Sequence, residues 1–140
     1  MNNADYCDLH VHSSYSLLDG TASPEQILER TAQLGRQYLA ITDHGSIDGW
    51  LRLQRAAKKT QVKPCFGVEL YLLERFEERH EGKHKNLHLT AIAKTPAGLG
   101  KIIKACGFAH TEGVGKHGYA ARPFLPMDYP LTHGWAGDVI

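Results

Sequence analysis

The sequence predicts an α/β fold built as a single domain, on three observations. Short apolar runs alternate with amphipathic helical patterns. Polar residues suited to metal binding recur at the C-terminal ends of those runs. The length, 140 residues, is enough for one hydrophobic core and short for two. Sixteen Lys and Arg against fifteen Asp and Glu leave a net charge of +1, so the overall balance demands neither nucleic acid nor a membrane surface as partner. Cys7, Cys65 and Cys106 are odd in number, widely spaced and form no C-x-x-C pair, which argues against a disulfide framework and fits a reducing cytoplasm. The start, "MNNADY", lacks the design of a signal peptide, and no apolar run approaches membrane-spanning length. The expectation is a cytoplasmic protein without a membrane partner.

The elements follow in order. Residues 6–12, "YCDLHVH", read as a strand, and residues 13–23 as a loop rich in Ser, Asp, Gly and Thr. In "SPEQILERTAQLG" Ser23 caps, Pro24 suits the first helical position and Gln26 completes a capping box, with Ile27, Leu28, Thr31 and Leu34 on one face and Gly35 as the stop. "YLAIT", residues 38–42, is a short apolar run of the kind buried on both faces of a parallel sheet. Residues 47–59 space Ile47, Trp50, Leu51, Leu53 and Ala57 helically, with a Lys pair in the last turn where it favours the helix dipole. "CFGVELYLL", residues 65–73, is a third strand carrying an acid, Glu69, among apolar residues.

Residues 74–86 are almost wholly charged or polar and read as a solvated loop. "LHLTAIA", residues 87–93, is the fourth strand, and Thr95 and Pro96 begin a helix that Gly98 and Gly100 weaken. This alternation implies right-handed parallel βαβ units, in an open α/β sheet or part of a barrel. Residues 6–105 form the expected core. The remainder, 106–140, is Gly- and Pro-rich and reads as an irregular tail with a short strand near "PLTHGW".

Nine histidines make their placement informative, because neutral imidazole is the commonest metal ligand. His10 and His12 lie two apart, so on a strand both imidazoles face the same way. Taken alone, an H-x-H pair on a half-exposed strand is as readily a chance occurrence. Polar residues recur, however, where α/β folds gather their sites: Asp43 and His44 end the second strand, Glu69 sits in the third and His88 in the fourth. A carboxylate inside an apolar strand is costly to ionise without a positive partner, and a divalent cation serves better than a lone side chain. The bland alternatives are a hydrogen-bonded core histidine for His88, a Lys or Arg partner for Glu69 and a turn aspartate for Asp19, but their coincidence favours a metal site. Asp19, in the loop after the H-x-H pair, is a further oxygen ligand. His80, His84, His110 and His117 fall in polar or Gly-rich stretches and are read as solvated. Imidazole and carboxylate without thiolate suit Zn²⁺, Mn²⁺ or Fe, and the chemistry expected of several such ions is hydrolysis of a phosphate ester.

"DLHVHSSYSLLDG", "AITDHG", "GVELY" and "HLTAIAK" together resemble, in order and spacing, successive motifs of the PHP (polymerase and histidinol phosphatase) family. The wording "YSLLDG" and "HLTAIAKTPAGLGKI" resembles the PHP domain at the N-terminus of bacterial DNA polymerase III alpha subunits. The resemblance implies a distorted (βα)7 barrel, here about its first four βα units, with a trinuclear cluster of divalent ions, Zn or Mn, at the strand ends. Carried over by position, His10, His12, Asp19, His44, Glu69 and His88 are metal ligands, and Asp43 has a supporting catalytic role in orienting a ligand. "PLTHGWAGD" resembles a later family segment, with Gly134 where the ligand cysteine stands and His133 one position earlier as the candidate substitute. The family's final D-x-H has no counterpart, so a truncated domain is expected, its open sheet edge covered by other replication subunits or by self-association. The resemblance implies phosphoester hydrolysis, at a DNA 3′ end or on another phosphate ester. Two alternatives stand beside it: a non-catalytic remnant acting as an interaction module, and a histidinol-phosphatase-like enzyme acting on a small metabolite. Every polymerase element is absent, so this chain is not expected to synthesise DNA.

Overall fold

A computed structural model describes residues 6–83, 85, 87–117 and 120–140. The chain divides into two compact units, Met1–Val68 and Glu69–Ile140. In the first, strands β1 (Cys7–Asp8), β2 (Tyr38–Ile41) and the beginning of β3 (Lys63–Leu73) pair in parallel, with α1 (Pro24–Gln33) and α2 (Trp50–Ala57) as the crossovers. The fold class is therefore the expected α/β.

Helix α1 begins as its sequence dictates. Ser23 accepts from the Gln26 N–H while the Gln26 side chain accepts from the Ser23 N–H, satisfying two donors that a helix start leaves open. Its inner face and that of α2 bury Leu28 and Leu53 against Leu39, Ile41 and Val62, which form the core of this unit. The Trp50 indole N–H donates to the Gly67 carbonyl at 2.9 Å and ties α2 to β3. Helix α2 starts at Trp50, three residues later than expected, because the Trp50 N–H closes a turn on Ile47 O at 3.0 Å. Cys7 is a protonated thiol near neutral pH: burial, and then the neighbouring Cys65, push it up to about 11.

The first strand is shorter than the expected 6–12. It stops at Asp8 because the chain beyond it leaves the ladder. Val11 instead pairs with one residue, Thr42, donating to its Oγ1 at 3.1 Å and accepting from its N–H at 2.8 Å. His10 and His12 thus lie on an extended segment past the strand.

In the second unit the end of β3 pairs in parallel with β6 (Ala120–Pro126), and β6 pairs antiparallel with β5 (Val114–His117). Strand β4 (Leu87–Ile92) pairs with β3 and leads into α3 (Pro96–Thr111). Two expectations are corrected here. The charged stretch 74–86 holds a 3-10 helix, Phe76–His80, because Arg75 and Glu78 form an i,i+3 ion pair at 2.6 Å and Phe76 packs on the Tyr71, Leu73 and Phe124 cluster. The tail 106–140 is not irregular: it supplies β5, β6 and α4 (Tyr129–Thr132), the last where a strand was expected. Its order comes from Phe124, Leu125, Tyr129 and Trp135, all buried, which the surrounding Gly and Pro obscure in the sequence.

The last residues close against β4. Ile92 and Ile140 exchange backbone hydrogen bonds, and Asp138 accepts from Thr95 Oγ1 and Lys101 Nζ, both at 2.6 Å. Those two donors hold the Asp138 carboxyl below the usual carboxylate range. Gly98 belongs to this closure, since a Cβ there would lie 2.0 Å from the Asp138 carbonyl. Gly100 faces open space. Gly100→Ala should therefore stabilise α3 by about 0.5–1 kcal/mol, the helix-propensity difference, read as a raised thermal midpoint; a lowered midpoint would contradict the open space.

Candidate functional site

The first unit gathers four of the residues singled out by sequence. His10 Nε2 and His12 Nε2 lie 3.1 Å apart, and the rings of His12 and His44 are 4.5 Å apart between centroids. His44 Nε2 is 3.3 Å from Asp19 Oδ2. The chain between the histidines and Asp19 folds back on itself: Ser14 N–H donates to Ala22 O at 2.8 Å, and Asp19 N–H and Gly20 N–H both donate to Ser16 O, at 3.1 and 3.0 Å. This compact loop brings Asp19 to His44.

Asp43 is buried, and both its oxygens go to Ser13, accepting from the backbone N–H at 2.5 Å and the hydroxyl at 2.7 Å. Both of its bonds thus go to the residue directly after His12. Sequence reasoning missed three participants: Ser13, Ser16 and Thr42. The hydroxyl-rich run directly after the histidines was the available signal, for a buried hydroxyl is placed to bond a ring nitrogen or a loop amide.

In the second unit, Glu69 Oε1 and His88 Nδ1 are 2.8 Å apart, with the Glu69 side chain 5% and the His88 side chain 43% exposed. Glu69 stands in the middle of β3 and His88 near the start of β4. The buried acid thus has its hydrogen-bond partner in a residue also singled out as a ligand. The edge of Tyr71 meets the same imidazole at 5.0 Å between centroids. His133 is placed differently. It follows α4, its Nδ1 3.0 Å from Tyr129 O, with its ring stacked on Tyr129 at 3.7 Å. Among the described residues, no group able to hold a metal includes it. His80 and His110 are exposed, His110 bonding Cys106 O within α3. His84 lies outside the described residues, as does the side chain of His117.

The donor set fits a divalent ion of borderline softness. At metal–nitrogen distances of about 2.0–2.1 Å, two imidazoles on one tetrahedral ion have nitrogens about 3.3 Å apart, close to the 3.1 Å between His10 and His12. The other donors are carboxylates and imidazole, with no thiolate among the candidates.

The PHP domain model matches residues 8–132. The chain belongs to the PHP domain family. Its relatives include the DNA polymerase III alpha subunit of Borreliella burgdorferi, 33% identical over 126 residues, which covers 88% of this chain and 10% of that protein. The error-prone DNA polymerase of Mycobacterium tuberculosis is 38% identical over 133 residues, covering 94% of this chain and 12% of its own length. The chain thus spans about a tenth of the polymerases it matches. Two solved structures share the fold. A Bifidobacterium adolescentis protein assigned as a metal-dependent phosphoesterase matches with a TM-score of 0.55 at 24% identity, over 74% of this chain and 32% of that one. An amidohydrolase from Chromobacterium violaceum, with bound sulfate and no metal, matches with a TM-score of 0.54 at 25% identity, over 76% of this PHP chain and 34% of that one. Both likenesses agree with part of a distorted PHP-type barrel.

Proposed function

We propose that this PHP chain binds divalent metal ions, Zn or Mn, and hydrolyses a phosphate ester, with a DNA 3′ end as the substrate in a replication setting. The observation that carries the reading is the convergence of the His10 and His12 Nε2 atoms, beside the Asp19–His44 pair. In the second unit, Glu69 and His88, 2.8 Å apart, stand at further ligand positions that the family resemblance implies. An ion held by these residues supplies Lewis acidity toward a phosphoryl oxygen and an acidified water near neutral pH. The residues themselves hold and orient: Asp19 and Glu69 bring negative charge, and the imidazoles bind in their neutral form. The sulfate bound by the Chromobacterium violaceum relative is a tetrahedral oxyanion of phosphate's shape, which supports a phosphate-ester substrate. Relatedness to polymerase subunits favours a cytoplasmic place among other replication subunits.

The placement of His133, turned onto Tyr129, favours a second reading: an incomplete cluster in a domain that serves as a structural module. One experiment separates the two. The purified chain is loaded with Mn²⁺ or Zn²⁺, dialysed, analysed for metal, and incubated with a 3′-labelled oligonucleotide. Several retained ions and cleavage, both lost in His12→Ala and Glu69→Ala, are expected. Metal retained without cleavage supports the module, and no retained metal overturns the metal-binding reading itself.

A further inference from the structure

Ser16 sits at the centre of the loop that follows the histidines, and its environment is more specific than that of an ordinary turn serine. It is 1% exposed. Its Oγ lies 2.9 Å from His12 Nδ1 and accepts from the His44 backbone N–H at 3.2 Å. Its carbonyl accepts from the Asp19 and Gly20 N–H groups. One residue therefore touches the ring of His12, the backbone of His44 and the backbone of Asp19. None of the three contacts belongs to a regular helix or strand.

We propose that Ser16 is a positioning residue that holds His12 in the tautomer protonated at Nδ1, leaving its Nε2, 3.1 Å from His10 Nε2, as a lone pair. The inference rests on the metal-binding reading of these histidines. A neutral imidazole carries one proton, so the partner of one nitrogen decides what the other can do. The His44 N–H can only donate, and it occupies one acceptor position of Ser16 Oγ. The hydroxyl's own proton fits an unprotonated Nδ1, whereas its remaining lone pair fits a proton on His12 Nδ1, so the tautomer is what the test must read. The latter arrangement is the one in which His12 Nε2 can serve as a ligand, and groups that fix ligand histidines in this way commonly contribute ten- to hundredfold in metal affinity. The same serine couples ligands that the sequence holds well apart, for it bonds His12, the Asp19 amide and, twenty-eight positions along the chain, the His44 amide.

The test begins with the metal-free wild-type chain. Long-range ¹H–¹⁵N correlation at pH 8 assigns the tautomer of His12 from its two ring-nitrogen shifts, and protonation at Nδ1 is expected. Titration with Zn²⁺ then compares the wild type with Ser16→Ala, for which affinity should fall ten- to hundredfold and the tautomer preference should be lost. Ser14→Ala removes an exposed hydroxyl from the same loop and should keep both the tautomer and the zinc affinity. A wild-type His12 protonated at Nε2, or zinc affinity unchanged in a folded Ser16→Ala, overturns the inference. Failure of the wild type to bind zinc at all overturns instead the reading it rests on, and the tautomer still decides whether Ser16 orients the ring.

Discussion

Asp43→Ala is expected to lower the stability of the chain by about 3–5 kcal/mol, because two buried donors lose their acceptor and each is worth about 1–3 kcal/mol when stranded. The donors are the Ser13 N–H and hydroxyl, and both Ser13 and Asp43 are buried. Water cannot take over without opening the loop. Part of the loss is offset, since the carboxylate no longer has to be desolvated, and this keeps the expected value from rising further. Asp43→Asn is the informative companion. It keeps one oxygen for the Ser13 N–H and sets an amide against the hydroxyl, which can rotate to accept, so the cost should fall to about 1–2 kcal/mol. Urea unfolding of the three proteins measures both values. Equal costs for Ala and Asn would mean that volume, and not hydrogen bonding, holds the loop. A folded Asp43→Ala with wild-type metal affinity would remove Asp43 from the support of His12.

What could be read from the sequence, and what could not, follows from the range of the interactions. The capping box of α1 was legible because Ser23 and Gln26 are three residues apart and the pattern is local. The apolar strands were legible because burial on both faces leaves a run such as "YLAI". The end of the first strand was not, since it depends on Val11 meeting Thr42, thirty-one positions away. The hairpin and α4 escaped for a related reason. Gly113 is there because a Cβ would lie 1.9 Å from the Phe124 carbonyl, so a glycine that suggested an irregular tail marks close packing. In the site, the side chains that meet, His10 with His12 and Glu69 with His88, were singled out from residue chemistry and family motifs. The serines were not, because Ser reads as loop whether its hydroxyl meets solvent or a buried imidazole.

The loop's glycine is the most demanding of these positions. Gly20→Ala should cost about 3 kcal/mol or more, at or beyond the upper end for an overpacked site. A Cβ at position 20 would stand 2.1 Å from Ser13 O, 2.5 Å from Ser13 C and 2.9 Å from His12 O. All three are backbone atoms, so no rotamer change relieves the clash. Ser13 O is itself fixed by the Ser16 N–H at 2.9 Å. The chain can accept alanine only by moving residues 19–22 away from 12–16, and that motion carries Asp19 off His44. Lost stability and weakened metal binding should therefore appear together. Leu18, two residues earlier, isolates the backbone from the contact. It is fully exposed and has φ of 72°, a conformation costing a side chain about 1–2 kcal/mol. Leu18→Gly relieves that strain without losing any buried surface, and should leave stability unchanged or raise it by up to about 1 kcal/mol. Denaturation of both variants beside the wild type reads the two signs. A Gly20→Ala protein as stable as the wild type would mean that the loop does not close on Ser13, and the route from the H-x-H pair to Asp19 would then need another support.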